Sequence, residues 1–346
     1  MHVAVIISDV FLISASASLP VTSKTMALPP PPPPPPLAMD SVFRIAPSTT
    51  AVLRVEPQRA PAGAFTEDEQ AAVNALRNKI EATIDQTGDD GMATWSEAAR
   101  AEAMAHLDDF TLQRFIVARP ASLDAAELMF RNAMHWRVSK GINNIFVELH
   151  PLATPSAKHA AARAYSTGGL GGLDKAGFPY FVMRIGRADL AGFSRQPRLM
   201  ELMMDSAAAN LEGIFRTVRA CSALAGRFVK CLLILDMAGL SFSTIRHIGT
   251  IKSLIAFGPE YFPEGVSKVL IVNAPRLFAG AWSLVAPLLP QRSRDKVSIL
   301  SSSQSLAAML ERVERAELPV FLGGEQPEER CLVARAEPVP SEEVLF

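Results

Sequence analysis

The sequence is poor in the residues that most often announce chemistry. Only three cysteines occur among 346 residues, Cys221, Cys231 and Cys331. Their odd count and spacing fit reduced thiols in a cytosolic compartment, acting as small core hydrophobes rather than as a disulfide or metal framework. No charge of one sign dominates, because 34 Lys and Arg face 35 Asp and Glu. A net charge of -1 gives no overall field toward nucleic acid or an acidic membrane, so any such attraction is local and nucleic acid is not an expected partner. There is no G-x-S-x-G elbow and no H-E-x-x-H pair. The glycines from Gly168 to Gly172 fail the dinucleotide pattern, since Asp174 stands where a third glycine belongs, and they read as a flexible turn. His135, His150 and His247 show no spacing with a nucleophile. The chain is therefore not expected to be an enzyme, and a lipid-handling enzyme would need a distributed site.

Apolar residues are plentiful, at 49%, while charged residues make up 20%. That balance tilts toward extra buried or lipid-facing surface. The first apolar stretch, residues 3–13, carries Asp9, has no Lys or Arg ahead of it and is too short to span a bilayer. A targeting segment is its weaker reading. With the unbroken proline run Pro29 to Pro36, residues 1–64 read as a disordered leader.

Ordered sequence is expected from Phe65. Thr66 and Glu69 form a capping box, and Val73, Leu76, Ile80 and Ile84 recur at helical spacing. A second pattern carries Leu107, Phe110, Phe115 and Ile116 up to Pro120, and a third runs from Ser122 through Ala126, Met129, Ala133 and Trp136. Residues 65–140 thus read as a small helical lobe. Beyond it, apolar β-rich runs at Tyr180 to Ile185, Phe228 to Leu235, Lys268 to Val272 and Val297 to Leu300 alternate with helical patterns. The second run is apolar almost throughout, as in a strand covered on both faces, so an α/β sheet follows. The helix after Gln196, carrying Leu199, Met203, Ala207, Leu211, Ile214 and Val218, and that after Ser241, carrying Ile245, Ile248, Ile251 and Ile255, read as amphipathic covers.

One segment has no solvent face. Leu277 to Leu289 reads LFAGAWSLVAPLL, with Ser283 its single polar side chain, and lies between Pro275 and Pro290. A helix apolar all round is either buried core or touches lipid, and periodicity leaves both readings open. Its proline bracket suits a hinged lid.

The ordered motifs resemble the CRAL-TRIO domain proteins, and within them the phosphatidylinositol transfer proteins. They are RFIVAR at Arg114 to Arg119 with Met129, Phe130, Trp136 and Arg137; Gly172, Asp174 and Gly177 to Pro179; LILDMAGLS at Leu233 to Ser241; the run from Tyr261 to Leu289; DKVSIL at Asp295 to Leu300; and LPVFLGG at Leu318 to Gly324. The resemblance implies a mixed sheet flooring an apolar cavity in residues 141–325, a gate helix carrying Phe278, Trp282, Val285, Leu288 and Leu289 over a floor that includes Leu233, and a C-terminal tail over 326–346. It implies Arg119, Glu264, Ser293 and Lys296 at the lipid headgroup. No cofactor is expected, only a bound lipid, phosphatidylinositol by preference. The expected protein is a cytoplasmic monomer that meets membranes transiently, with phosphoinositide kinases as candidate recipients of the lipid.

Departures from the family pattern carry their own expectations. Pro120 replaces a second basic residue, which would lower headgroup affinity. Cys231 and Leu233 replace two hydroxyl residues of choline-binding members, which disfavours phosphatidylcholine. Phe178 and Phe262 are expected to alter packing rather than ligand choice. Asp236 reads as a structural acid bonding nearby loop amides. A carrier of another hydrophobe, of sterol, tocopherol or retinoid type, is the alternative.

Overall fold

The computed structural model describes residues 59–86, 95–149, 157–165, 168–188, 197–240, 258–275, 278 and 295–328. Most of the leader, of the 277–289 segment and of the tail lies outside them.

Among the described residues four helices come first: α1 (Glu67–Ile84), α2 (Glu97–Met104), α3 (Asp109–Ala118) and α4 (Leu123–Lys140). Each begins where a short oxygen-bearing side chain can accept from a free amide. Thr66 and Glu69 complete the expected capping box, while Ser96, Asp108 and Ser122 cap the others. Gly141 ends α4 at φ 67°, a left-handed turn that glycine adopts without steric cost. Val73, Leu76, Ile80, Leu112, Phe115, Phe130 and Ala133 interlock with Trp95 in one core. The second sequence pattern proves to be two helices. Leu107 lies between α2 and α3, because Asp108 starts a new helix by accepting from the Thr111 amide at 2.9 Å.

After α5 (Ile142–Leu149) and α6 (Ala157–Tyr165) the chain enters a five-stranded sheet of order β1-β2-β3-β4-β5. The strands are β1 (Gly168–Leu173), β2 (Pro179–Met183), β3 (Cys231–Asp236), β4 (Val266–Val272) and β5 (Val297–Ile299). β1 is antiparallel to β2, and all later pairs are parallel. The glycine string read as a flexible turn is therefore corrected: it forms edge strand β1, with a register shift between Leu170 and Gly172. Glycine weakens a strand through entropy, but here it admits the Tyr180 ring, since a Cβ on Gly171 would lie 2.1 Å from Tyr180 Cε2.

The two faces of the sheet differ. Tyr180, Val182, Leu232, Ile234, Leu270 and Val272 are buried on one face under Met309 of α9 (Ser302–Leu310), Val313, Leu318 and Leu322. On the other, Ile214 and Val218 of α7 (Pro197–Ala225) cover Phe181 and Cys231. Farther along that face Leu233, Leu235, Val297 and Ile299 are only partly buried, although β3 is central. Among the described residues Phe278 packs with this group, beside Met237, Val269 and Ile271. The helical pattern after Ser241 lies outside the described residues.

Candidate functional site

Parallel strands start at the same edge of a sheet, so residues far apart in sequence meet there. Lys230 directly precedes β3, Lys296 directly precedes β5, and Glu264 stands in the turn between α8 (Gly258–Tyr261) and β4. Glu264 Oε2 is ion-paired with the Lys230 ammonium and lies 3.6 Å from Lys296 Nζ. The carboxylate side chain is 8% exposed, against 20% for Lys230 and 25% for Lys296. Two cations thus look outward over a sunken acid.

The acid is held from below. Arg114 of α3 is fully buried; its Nη1 donates to the Glu264 carbonyl at 2.7 Å, and its Nη2 donates to the Val229 carbonyl at 2.6 Å and to Ser222 Oγ at 3.3 Å. Its guanidinium also lies 4.6 Å from the centre of the Phe228 ring. Burial pushes the Arg114 guanidinium down to about 10, with Asp108 and Glu264 opposing. It stays charged at neutral pH. Burial likewise lowers Lys230 below its ordinary value; Glu264 opposes this, while Lys296 and Arg114 add to it. Glu264 adopts φ 53°, an uncommon left-handed conformation for a residue with a Cβ.

Of the residues expected at the headgroup, the structure brings Glu264 and Lys296 together. Arg119 caps the C-terminus of α3, and its Nη2 is ion-paired with Glu260 of α8 at 3.1 Å. Ser293, Trp282, Val285, Leu288 and Leu289 lie outside the described residues. Phe278 is buried at the edge of the partly open sheet face, and Leu233 stands on that face. Lys230 and Arg114 were not singled out from the sequence. Arg114 sat inside a quoted motif, and Lys230 carries no local mark beyond preceding an apolar strand.

Neighbouring positions follow ordinary chemistry. Asp236 Oδ1 accepts from the Ala238 amide at 3.0 Å and from Asn273 Nδ2 at 2.8 Å, the loop-bonding role expected of it. Phe178 takes the Arg227 guanidinium at 4.2 Å from its ring centre, and Phe262 is buried against Ile142, Ala208 and Phe215. Burial raises the thiols of Cys221 and Cys231 to about 11 and about 12, so both are protonated and inert at neutral pH. Among the described residues no group of three His, Cys, Asp or Glu could hold a metal ion, and no helix is long and apolar enough to cross a membrane.

Residues 163–324 match the family model of the CRAL/TRIO domain. The SEC14 cytosolic factor of Kluyveromyces lactis is 30% identical over 223 residues, covering 63% of this chain and 71% of the relative. The SEC14 cytosolic factor of Eremothecium gossypii is 29% identical over 63% of this chain and 70% of its own. That of Candida glabrata is 27% identical, over 78% and 84%. Among solved structures, the crystal structure of Sfh5 aligns with a TM-score of 0.47 at 13% identity, over 70% of this chain and 84% of that chain. From the matched domain model and the extent of likeness to the Kluyveromyces factor, the chain belongs to the CRAL/TRIO domain family.

Proposed function

We propose that the protein is a lipid carrier. It encloses a single phospholipid, phosphatidylinositol by preference, and exchanges it between membranes or presents it to lipid-modifying enzymes, making and breaking no bond. The observation that carries this reading is the unevenness of the sheet. Leucines of a central strand are ordinarily sealed on both faces, yet Leu233 and Leu235 are only partly buried while Leu232 and Ile234 on the opposite face are fully so. An apolar floor of that kind suits acyl chains.

The energetics of the task require such a floor. Each methylene kept from water is worth about 0.8 kcal/mol, so roughly thirty of them hold a lipid in its bilayer by ~25 kcal/mol. A carrier must offer an equally apolar interior and open it only against a membrane. The run with Phe278, Trp282, Val285, Leu288 and Leu289 has the composition of a cover that is apolar toward lipid on either side. For the headgroup, Lys296 and Ser293 suit the phosphate through charge and hydrogen bonding, and Glu264 suits inositol hydroxyls. Arg119, ion-paired with Glu260, adds a further cation.

The test is identification of the lipid that co-purifies with the full chain, by native mass spectrometry and extraction. Phosphatidylinositol returned intact after incubation supports the carrier. A neutral isoprenoid would point to the sterol, tocopherol or retinoid alternative, and a chemically altered lipid would point to an enzyme.

A further inference from the structure

The charge count at the sheet edge involves a residue that the carrier reading leaves unassigned. Glu264 is shared by two ammonium groups, Lys230 and Lys296. Arg114, which gives its Nη donors to two carbonyls and a hydroxyl, adds a third cation beneath them. Among the described residues around Glu264, cations therefore outnumber the acid. Both ammonium groups belong to side chains more exposed than the acid beneath them, and the Phe228 ring lies 5.3 Å from Lys230 Nζ, limiting its freedom. Each ammonium has three donors, so bonding to Glu264 leaves others for a second oxygen.

We infer that Lys230 is a specificity-determining residue: with Lys296 it forms a two-cation seat for a phosphodiester, matched to a headgroup whose only charge is that phosphate. The inference rests on the carrier reading and deepens it. A phosphodiester monoanion offsets part of that excess. A headgroup that also bears an ammonium restores the excess and brings a third cation beside two lysines, a like-charge contact that costs more in a partly buried site than in water. Burial lowers the affinity of Lys230 for its own proton; Glu264 opposes this, while Lys296 and Arg114 add to it. An incoming anion relieves it. The shared chemistry is that of phosphatidylinositol and phosphatidylglycerol, as against phosphatidylcholine.

The experiment measures transfer of these three lipids between vesicles by the full chain and its Lys230→Gln and Lys230→Arg variants, with thermal unfolding as a check on folding. The natural protein is expected to move both singly anionic lipids in preference to phosphatidylcholine. Lys230→Gln should lower phosphatidylinositol transfer roughly ten-fold, the worth of one charge-assisted hydrogen bond. It should also narrow the preference over phosphatidylcholine, whereas Lys230→Arg should keep both. A folded Lys230→Gln protein with an unchanged preference overturns the inference, as does loss of both lipids by the same factor, which marks a structural lysine. Should Lys230→Gln not fold, the natural protein decides: equal transfer of phosphatidylglycerol and phosphatidylcholine overturns the charge match. Failure of the natural protein to move any phospholipid would instead bring down the carrier reading, and this inference with it.

Discussion

Glu264 shows how much a single residue can be made to hold. Its backbone stands at φ 53°, which costs on the order of 1 kcal/mol for a residue with a Cβ, and it stays there because Arg114 takes its carbonyl while Lys230 and Lys296 take its carboxylate. Removing one lysine is therefore unlike removing the acid. Lys296→Ala leaves Glu264 paired with Lys230 and withdraws a side chain that is only three-quarters buried. Its unfolding free energy should change by about 1 kcal/mol or less, while phosphatidylinositol transfer between vesicles falls. Normal transfer by that variant would remove Lys296 from the site. Glu264 and Lys296 were legible in the sequence because each sits inside an ordered motif, YFPEG and DKVSIL. Lys230 was not, because its importance lies in strand register: Cys231 pairs with Val266 and Val269 with Val297, and that pairing carries Lys230 and Lys296 to Glu264. Arg114 lies inside RFIVAR, but its role was hidden because its partners Ser222, Val229 and Glu264 stand 108, 115 and 150 residues away.

At the scale of elements, the edge strand β1 carries the firmest prediction about stability. Gly171 lies at the register shift of that strand, directly over Tyr180, a fully buried ring whose hydroxyl donates to the Glu317 carbonyl at 2.6 Å. The ring is fixed at both ends. Gly171→Ala should therefore cost about 1–3 kcal/mol through overpacking, read as a lower midpoint in urea with an unchanged slope. A midpoint equal to that of the natural protein would show that β1 can shift to make room. The other four strands could be read from their apolar runs to within a few residues, since period and composition carry that signal. β1 could not, because a glycine string lacks the side chains on which a strand pattern depends. Helix α7 is the cover its apolar stripe predicts, with Leu199, Met203, Ile214 and Val218 buried, yet Asp205, Glu212, Arg216 and Arg219 are buried as well. A helix packed between a sheet and a helical lobe has two inner faces, and sequence period reports only the apolar one.

Those buried charges join the helical lobe to the sheet domain. Arg137 of α4 donates to Glu212 of α7 from both Nη atoms, at 2.7 and 2.8 Å, and from Nε to Glu102 of α2 at 2.6 Å. Arg216 joins the same acid, and Arg219 pairs with Asp108 at 2.7 Å. His106 stacks on Phe215 within this layer, where burial, Arg219 and Arg137 push its ring well below the ordinary histidine value and keep it neutral. Burial alone would raise the Glu212 carboxyl, but Arg137 and Arg216 outweigh it and hold the group at about 2, against an ordinary 4.5. A carboxyl depressed on folding contributes stability that is present above its unfolded value and is lost as pH falls through the folded one. The attachment of the lobe should therefore weaken from about pH 4.5 down toward pH 2. Glu212→Gln removes the anion, strands the buried Arg216 guanidinium and leaves Arg137 with Glu102 alone, a loss of about 3–5 kcal/mol at neutral pH, and it should erase that part of the acid dependence. Chemical denaturation of both proteins at pH 7 and pH 2 measures each effect. Equal stability at pH 7 would mean that packing alone carries the interface, whereas a loss that is large at pH 7 and shrinks by pH 2 identifies the buried ion cluster as what fastens the lobe to the lipid-binding sheet.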